Sequence, residues 1–183
     1  QPAVNGAAYD AYLRGIYIGR RASVQQAARG AEDSAIAYLD QAVELDPRFA
    51  LPHTAIAQIL TSRFFNYDPN PAWEERAFVE IEKALALDPN LAEAYQQKGN
   101  LTWTKANGFP HDVAVRLHRK AAALKPSFVD PHASLGSIYM HVGLLDRALA
   151  EYDTALTLDP TTTFVPPRIA RIHWYQGKYE ESL

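Results

Sequence analysis

Apolar and polar residues follow one another along this chain with the spacing of amphipathic helices, and the spacing recurs. Four prolines, Pro47, Pro89, Pro126 and Pro160, anchor the recurrence. Twelve residues before each stands alanine (Ala35, Ala77, Ala114, Ala148), and eleven before stands a larger apolar residue (Ile36, Phe78, Val115, Leu149). Alanine returns five before, as Ala42, Ala84, Ala121 and Ala155. Val43, Leu85, Ala122 and Leu156 stand four before, and Leu45, Leu87, Leu124 and Leu158 two before. Ten residues after each proline comes a small side chain: Ala57, Gly99, Gly136, Ala170. Offsets such as 145, 148, 149, 152, 155 and 156 lay one apolar stripe along a 3.6-residue helix.

The Asp-Pro pair after the stripe ends the helix, because proline cannot continue it and biases the preceding residue away from helical angles. A second kind of helix follows each proline. Its start is signalled by Asp130-Pro131 and by Pro166-Pro167, since proline fits the first helical turn. Asp68-Pro69 belongs to a connection. The small residues mark places where two helices approach too closely for a bulkier side chain. Pro126 to Pro160 spans 34 residues, Pro89 to Pro126 spans 37, and Pro47 to Pro89 spans 42. From the small residue to the next alanine the distance is 12 in the last complete unit, 15 before it, and 20 in the two earlier ones, counting from Gly15 in the first. The insertions therefore sit at the turn inside a unit. The chain reads as all-α, an array of stacked antiparallel helix pairs.

The stretch "HASLGSIYMHVGLLDRALAEYDTALTLDP" (132–160) resembles a tetratricopeptide repeat. The family pattern W-x2-L-G-x2-Y…A-x3-F…P is met by Leu135, Gly136, Tyr139, Ala148, Tyr152 and Pro160, with His132 where an aromatic is usual. The preceding unit matches through Tyr95, Gly99, Ala114, Ala121 and Pro126 and departs at Lys98, Thr102 and His118. The resemblance implies a right-handed superhelix, or solenoid, forming a single domain over 1–183. Its repeats would run at about 8–47, 48–89, 90–126 and 127–160, with a partial repeat at 161–183. "AYDAYLRGIYIGRR" is similar to the start of such arrays in bacterial signalling proteins, of the nucleotide cyclase, kinase or winged-helix regulator type. That likeness implies a regulatory or sensory arm. The start at Gln1 and the helical pattern opening in "GKYEESL" suggest a fragment of a longer chain.

Composition narrows the partners. A net charge of -3 argues against nucleic acid, which needs a surplus of Lys and Arg. Arg20-Arg21 and "RLHRK" (116–120) read as solvated helix faces. No apolar run is long enough for membrane insertion, and no cysteine is present for disulfides or thiol catalysis. The compartment stays open, cytoplasmic or periplasmic. Six histidines form no i, i+4 pair, and no H-E-x-x-H, G-x-S-x-G, phosphate loop or dinucleotide turn occurs. No metal, cofactor or catalytic residue is expected. An enzyme reading, a hydrolase, would require a deep pocket with converging acid, base and nucleophile.

Stacked helix pairs make a concave face that holds a peptide or protein segment. The repeat phase assigns to it Thr54, Gln58, Thr61, Gln96, Asn100, Trp103, Ser137, His141, Arg171 and Tyr175. The family's carboxylate clamp is not reproduced, since only Asn100 and Arg171 are candidates for it. The insertions collect along one edge, where Arg63, Phe64, Phe65, Tyr67, Trp73 and Phe109 form a second candidate surface, some of whose aromatics are expected to fold inward. Ile169, Ile172, Trp174 and Leu183, in the incomplete last unit, suggest homodimerisation through the C-terminal end. The expected function is a non-catalytic interaction scaffold for a protein or peptide.

Overall fold

The computed structural model describes residues 4–24, 29–104, 107–178 and 180. Among them are nine helices and no strand: α1 (Gly6–Val24), α2 (Arg29–Leu45), α3 (Leu51–Asn66), α4 (Pro71–Leu87), α5 (Ala92–Thr102), α6 (His111–Leu124), α7 (Val129–His141), α8 (Leu145–Leu158) and α9 (Pro166–Tyr175). Two compact units divide the chain, Gln1–Leu101 and Thr102–Leu183. No described helix is long and apolar enough to cross a membrane.

Each Asp-Pro stop is one device repeated. The amide of the second residue after Asp46, Asp88 or Asp159 donates to that aspartate's Oδ1, at 3.1, 2.9 and 2.9 Å. Proline's fixed φ suits the second position of such a turn. The amide three residues on closes the turn onto the backbone carbonyl, at 3.0 Å for Asp46, 3.2 Å for Asp88 and 3.2 Å for Asp159. Lys125 has no side-chain acceptor, yet the same backbone turn closes there at 2.9 Å. Asp88, Lys125 and Asp159 adopt nearly one conformation, with φ between -142° and -138°.

Insertion lengthens helices more than it lengthens the loop. α3 and α4 have 16 and 17 residues where α7 and α8 have 13 and 14. Asn70 caps α4 by accepting from the Ala72 amide at 3.0 Å, with Pro71 at the first position.

The pairs meet along the repeated small residues. A Cβ on Gly15 would stand 2.7 Å from Leu39 Cγ, and one on Gly19 would stand 3.7 Å from Ala35 Cβ, so α1 and α2 run antiparallel. A Cβ on Gly136 would stand 2.6 Å from the Tyr152 ring. All eight alanines at the two repeated offsets before the prolines are fully buried. Ala77 belongs to one core, around Leu39, Ile56, Leu60, Ile81 and Leu101, and Ala148 and Ala155 to another, around Leu135, Tyr152, Val165 and Ile172. Leu39, Ile81, His118 and Tyr152, eight before the prolines, are also fully buried. The leucines two before the prolines differ from expectation: Leu45, Leu87 and Leu158 are about 40% exposed, because that position falls at the edge of the stripe, in the last turn. Ala57, Gly99 and Gly136 are buried, whereas Ala170 is half-buried. No second helix follows α9 among the described residues to cover it.

Candidate interaction site

Two polar constructions and one ring cluster stand out. In the first unit, Arg63 near the end of α3 is 6% exposed and reaches back to the first turn of α2. Its Nε donates to Glu32 Oε2 at 2.9 Å and its Nη2 to Asp33 Oδ1 at 2.6 Å. The guanidinium lies 4.9 Å from the Trp73 ring centre, and the Trp73 indole N–H donates to Asp68 at 3.1 Å. The Tyr67 hydroxyl donates to Glu32 as well. Burial and then that bond to a carboxylate push the Tyr67 phenol above its ordinary value. Arg63, placed by the sequence on an accessible edge, is thus a buried clamp between α2 and α3.

The second construction is a repeated imidazole–carboxylate pair. His53 Nδ1 lies 2.6 Å from Glu80 Oε2, and His132 Nδ1 lies 2.8 Å from Glu151 Oε2. Both histidines stand six residues after a repeat proline and both glutamates nine before the next. Burial opposes ionisation of Glu80, but hydrogen bonds from His53 and Lys83 outweigh it and hold the carboxyl below its usual range. Where Tyr152 stands in one repeat, the repeat before it has His118, whose burial pulls it down to about 4 and keeps it neutral at pH 7.

The ring cluster lies in the second unit. Trp103 follows α5, Phe109 lies in the connection to α6, His111 opens α6 and His141 ends α7. The Trp103 ring centre is 5.6 Å from Phe109, 6.2 Å from His111 and 5.5 Å from His141. Phe109 and His141 are 5.0 Å apart, and the two imidazoles stack at 5.2 Å. Phe109 has φ 49°, just after Gly108 at 68°, a left-handed pair pinned by the Phe109 amide donating to the Thr104 carbonyl at 2.9 Å. That conformation costs a non-glycine residue about 1–3 kcal/mol. Trp103 Nε1 and His111 Nε2 are buried without a hydrogen-bond partner, each costing about 1–3 kcal/mol. The cluster holds three locally unfavourable features in one place.

The other candidates make none of these ring contacts. Thr54, Thr61 and Gln96 are buried, and the two threonine hydroxyls donate to carbonyls of their own helix at 2.8 and 2.7 Å. Gln58 is exposed and Asn100 half-buried, with the Gln96 amide 3.4 Å from Asn100 Oδ1. Ser137 bonds Tyr152 at 3.0 Å and the Ala133 carbonyl, while Arg171 and Tyr175 are exposed. On the edge, Phe65 and Tyr67 are exposed, and Phe64 and Trp73 are half-buried. Trp174 is exposed, Ile169 packs against the second core and Ile172 lies within it, and Leu183 lies outside the described residues. His111 was missed because a lone histidine after "NGFP" carries no periodic signal. Among the described residues no three His, Cys, Asp or Glu side chains converge to hold a metal.

A profile of the tetratricopeptide repeat matches residues 129–162. Hsp70-Hsp90 organizing protein 3 of Arabidopsis thaliana is 26% identical over 109 residues, which are 60% of this chain and 19% of that protein. The chain thus spans about a fifth of the length of this relative. Among solved structures, Pseudomonas aeruginosa PilF superposes with a TM-score of 0.68 at 21% identity, over 96% of this chain and 73% of that one. A thermophilic tetratricopeptide protein of Thermus thermophilus, TTC0263, does so with 0.67 at 18%, over 92% and 86%. These structural likenesses concern the fold. A tetratricopeptide repeat is matched at 129–162, and the helix pairs before it carry the same register in an all-α array with the tetratricopeptide fold.

Proposed function

We propose that the chain is a non-catalytic interaction module that holds a peptide or protein segment, with Trp103, Phe109, His111 and His141 as its main contact. The observation that carries this reading is the coincidence of a left-handed Phe109 with two buried, unpartnered ring nitrogens in one partly exposed cluster. Costly local features persist where function uses them. Aromatic anchors of this size are the side chains that dominate interface energies. The relatives support a scaffold role, since one is named for organising Hsp70 with Hsp90. The buried ionisable groups Arg63, Glu32, His53 and Glu80 are spent on one another, which suits a scaffold and leaves none of them for catalysis.

Affinity capture tests it. Proteins retained by the chain and lost by a Trp103→Ala/His141→Ala variant with unchanged circular dichroism would support the cluster as the contact. Equal retention by both would contradict it. Self-association through α9 is a second reading, favoured by the exposure of Trp174 and Tyr175, at 58% and 56%. Light scattering that stays monomeric with rising concentration would remove it.

A further inference from the structure

Asparagine is a chemically labile side chain, because the backbone nitrogen of the next residue can attack its Cγ and expel ammonia. A side chain on that next residue crowds the attack, and glycine removes the obstacle. The chain has six asparagines, and two of them, Asn5 and Asn107, are followed by glycine. Tyr67, Leu91 and Leu101 crowd the attack after Asn66, Asn90 and Asn100, and Pro71 after Asn70 has no N–H to attack with.

The structure separates the two Asn-Gly pairs. Asn5 caps α1: its Oδ1 accepts from the Ala7 amide at 2.9 Å, and its Nδ2 donates to the Leu45 carbonyl at 3.4 Å. Turning Cγ onto the Gly6 nitrogen would break both bonds. Asn107 and Gly108 are exposed in the turn between α5 and α6, where Gly108 has φ 68°. The Gly108 amide donates to no acceptor among the described residues, so its nitrogen is open to water and to loss of its proton. Two bonds to Thr104 close the turn. The Asn107 amide donates to Thr104 Oγ1 at 3.2 Å, and the Phe109 amide to the Thr104 carbonyl at 2.9 Å. Thr104 itself is 2% exposed, so the turn is anchored at its base while its tip faces solvent.

We propose that Asn107-Gly108 is a site of spontaneous deamidation, a modification that alters the turn holding Phe109 beside Trp103 and His141. The Gly108 nitrogen gives up its proton and bonds to Asn107 Cγ; the Cγ–Nδ2 bond breaks, and the leaving nitrogen takes up a proton and departs as ammonia. The cyclic imide then adds one water. Opening at Cγ leaves aspartate. Opening at the Asn107 main-chain carbonyl leaves isoaspartate, whose backbone runs through the side chain and is one methylene longer. That methylene lies between the two amides that bond Thr104, so both bonds and the left-handed Phe109 cannot all keep their present geometry. The site stands whether or not the ring cluster is the contact proposed above, because the chemistry needs only Asn107, Gly108 and water.

The whole chain, aged in mildly alkaline buffer, is digested and mapped by mass spectrometry, with isoaspartyl methyltransferase labelling the lengthened backbone. Asn107 is expected to convert roughly tenfold or more faster than Asn5, which must first lose two hydrogen bonds. In urea the two rates should converge. Aged protein should also show a changed near-ultraviolet circular dichroism, whereas Asn107→Gln, which cyclises slowly, should keep the fresh spectrum. An Asn107 that stays intact in the folded chain while the unfolded chain converts, or that converts no faster than Asn5, would overturn the proposal. A fresh-looking spectrum despite isoaspartate at 107 would overturn the effect on Phe109.

Discussion

The Tyr152 ring occupies the space a side chain on Gly136 would need: a Cβ there would lie 2.6 Å from Cε1 and 2.7 Å from Cδ1. The ring is fully buried and its hydroxyl is 3.0 Å from Ser137 Oγ, so it has little room to retreat. Gly136→Ala is expected to destabilise the chain by about 1–3 kcal/mol in urea unfolding. Tyr152→Leu removes the obstructing ring atoms, so the double variant should lose less than the sum of the two singles. Additive losses would show that the two residues do not meet.

The Arg63 clamp predicts an asymmetry. Arg63→Ala leaves the carboxylate of Glu32, 5% exposed, without its positive partner, so that of the two groups bonding it only the Tyr67 hydroxyl remains, and the expected loss is about 3–5 kcal/mol. Replacing both, as Arg63→Met with Glu32→Leu, removes the stranded charge and should recover most of that loss. Thermal unfolding of the three variants decides it, and a double variant no better than Arg63→Ala would mean that the clamp is not acting as a buried ion pair.

His118 gives the pH dependence a sign. Its folded value of about 4 lies below the ordinary 6.5, so the unfolded chain binds the proton more tightly. Stability is therefore full above the ordinary value and falls as the pH drops from 6.5 towards 4. At about 1.4 kcal/mol per pH unit the loss reaches about 3 kcal/mol. His118→Tyr, which restores the residue found at this position in the 132–160 repeat, should flatten that part of the profile. An unchanged profile would place the acid sensitivity elsewhere.

The Asp-Pro stops should respond to the side-chain acceptor, not to the charge. Asp88 Oδ1 accepts from the Asn90 amide at 2.9 Å. Asp88→Ala is expected to cost about 1 kcal/mol, and Asp88→Asn much less, because asparagine keeps the acceptor. Equal losses in urea unfolding would point to charge instead.

Much of the fold was legible because it repeats. Eight alanines at two offsets from four prolines fixed which helix faces are buried, and all eight are. The small residues located the helix contacts, since a missing Cβ leaves room that a neighbour such as Leu39 or Tyr152 fills. The site was less legible. Thr54, Thr61 and Gln96 fit the phase of a groove, but phase does not say whether a polar side chain faces solvent or turns to its own helix. Arg63 looked like a surface residue because nothing in its local sequence reveals Glu32 and Asp33 across the helix pair. The ring cluster joins residues from two candidate surfaces, Trp103 and His141 from one and Phe109 from the other, through a left-handed turn that periodicity does not describe.

The shared register is tested most directly by urea unfolding of paired leucine substitutions. Gly15→Leu, Ala57→Leu and Gly136→Leu fill the repeated close approaches, whereas Arg14→Leu and Gln58→Leu alter exposed neighbours. The three fillings should each lower the midpoint sharply and the two neighbours hardly at all; midpoints that fall equally in both sets would contradict a fold built on small residues at repeated helix contacts.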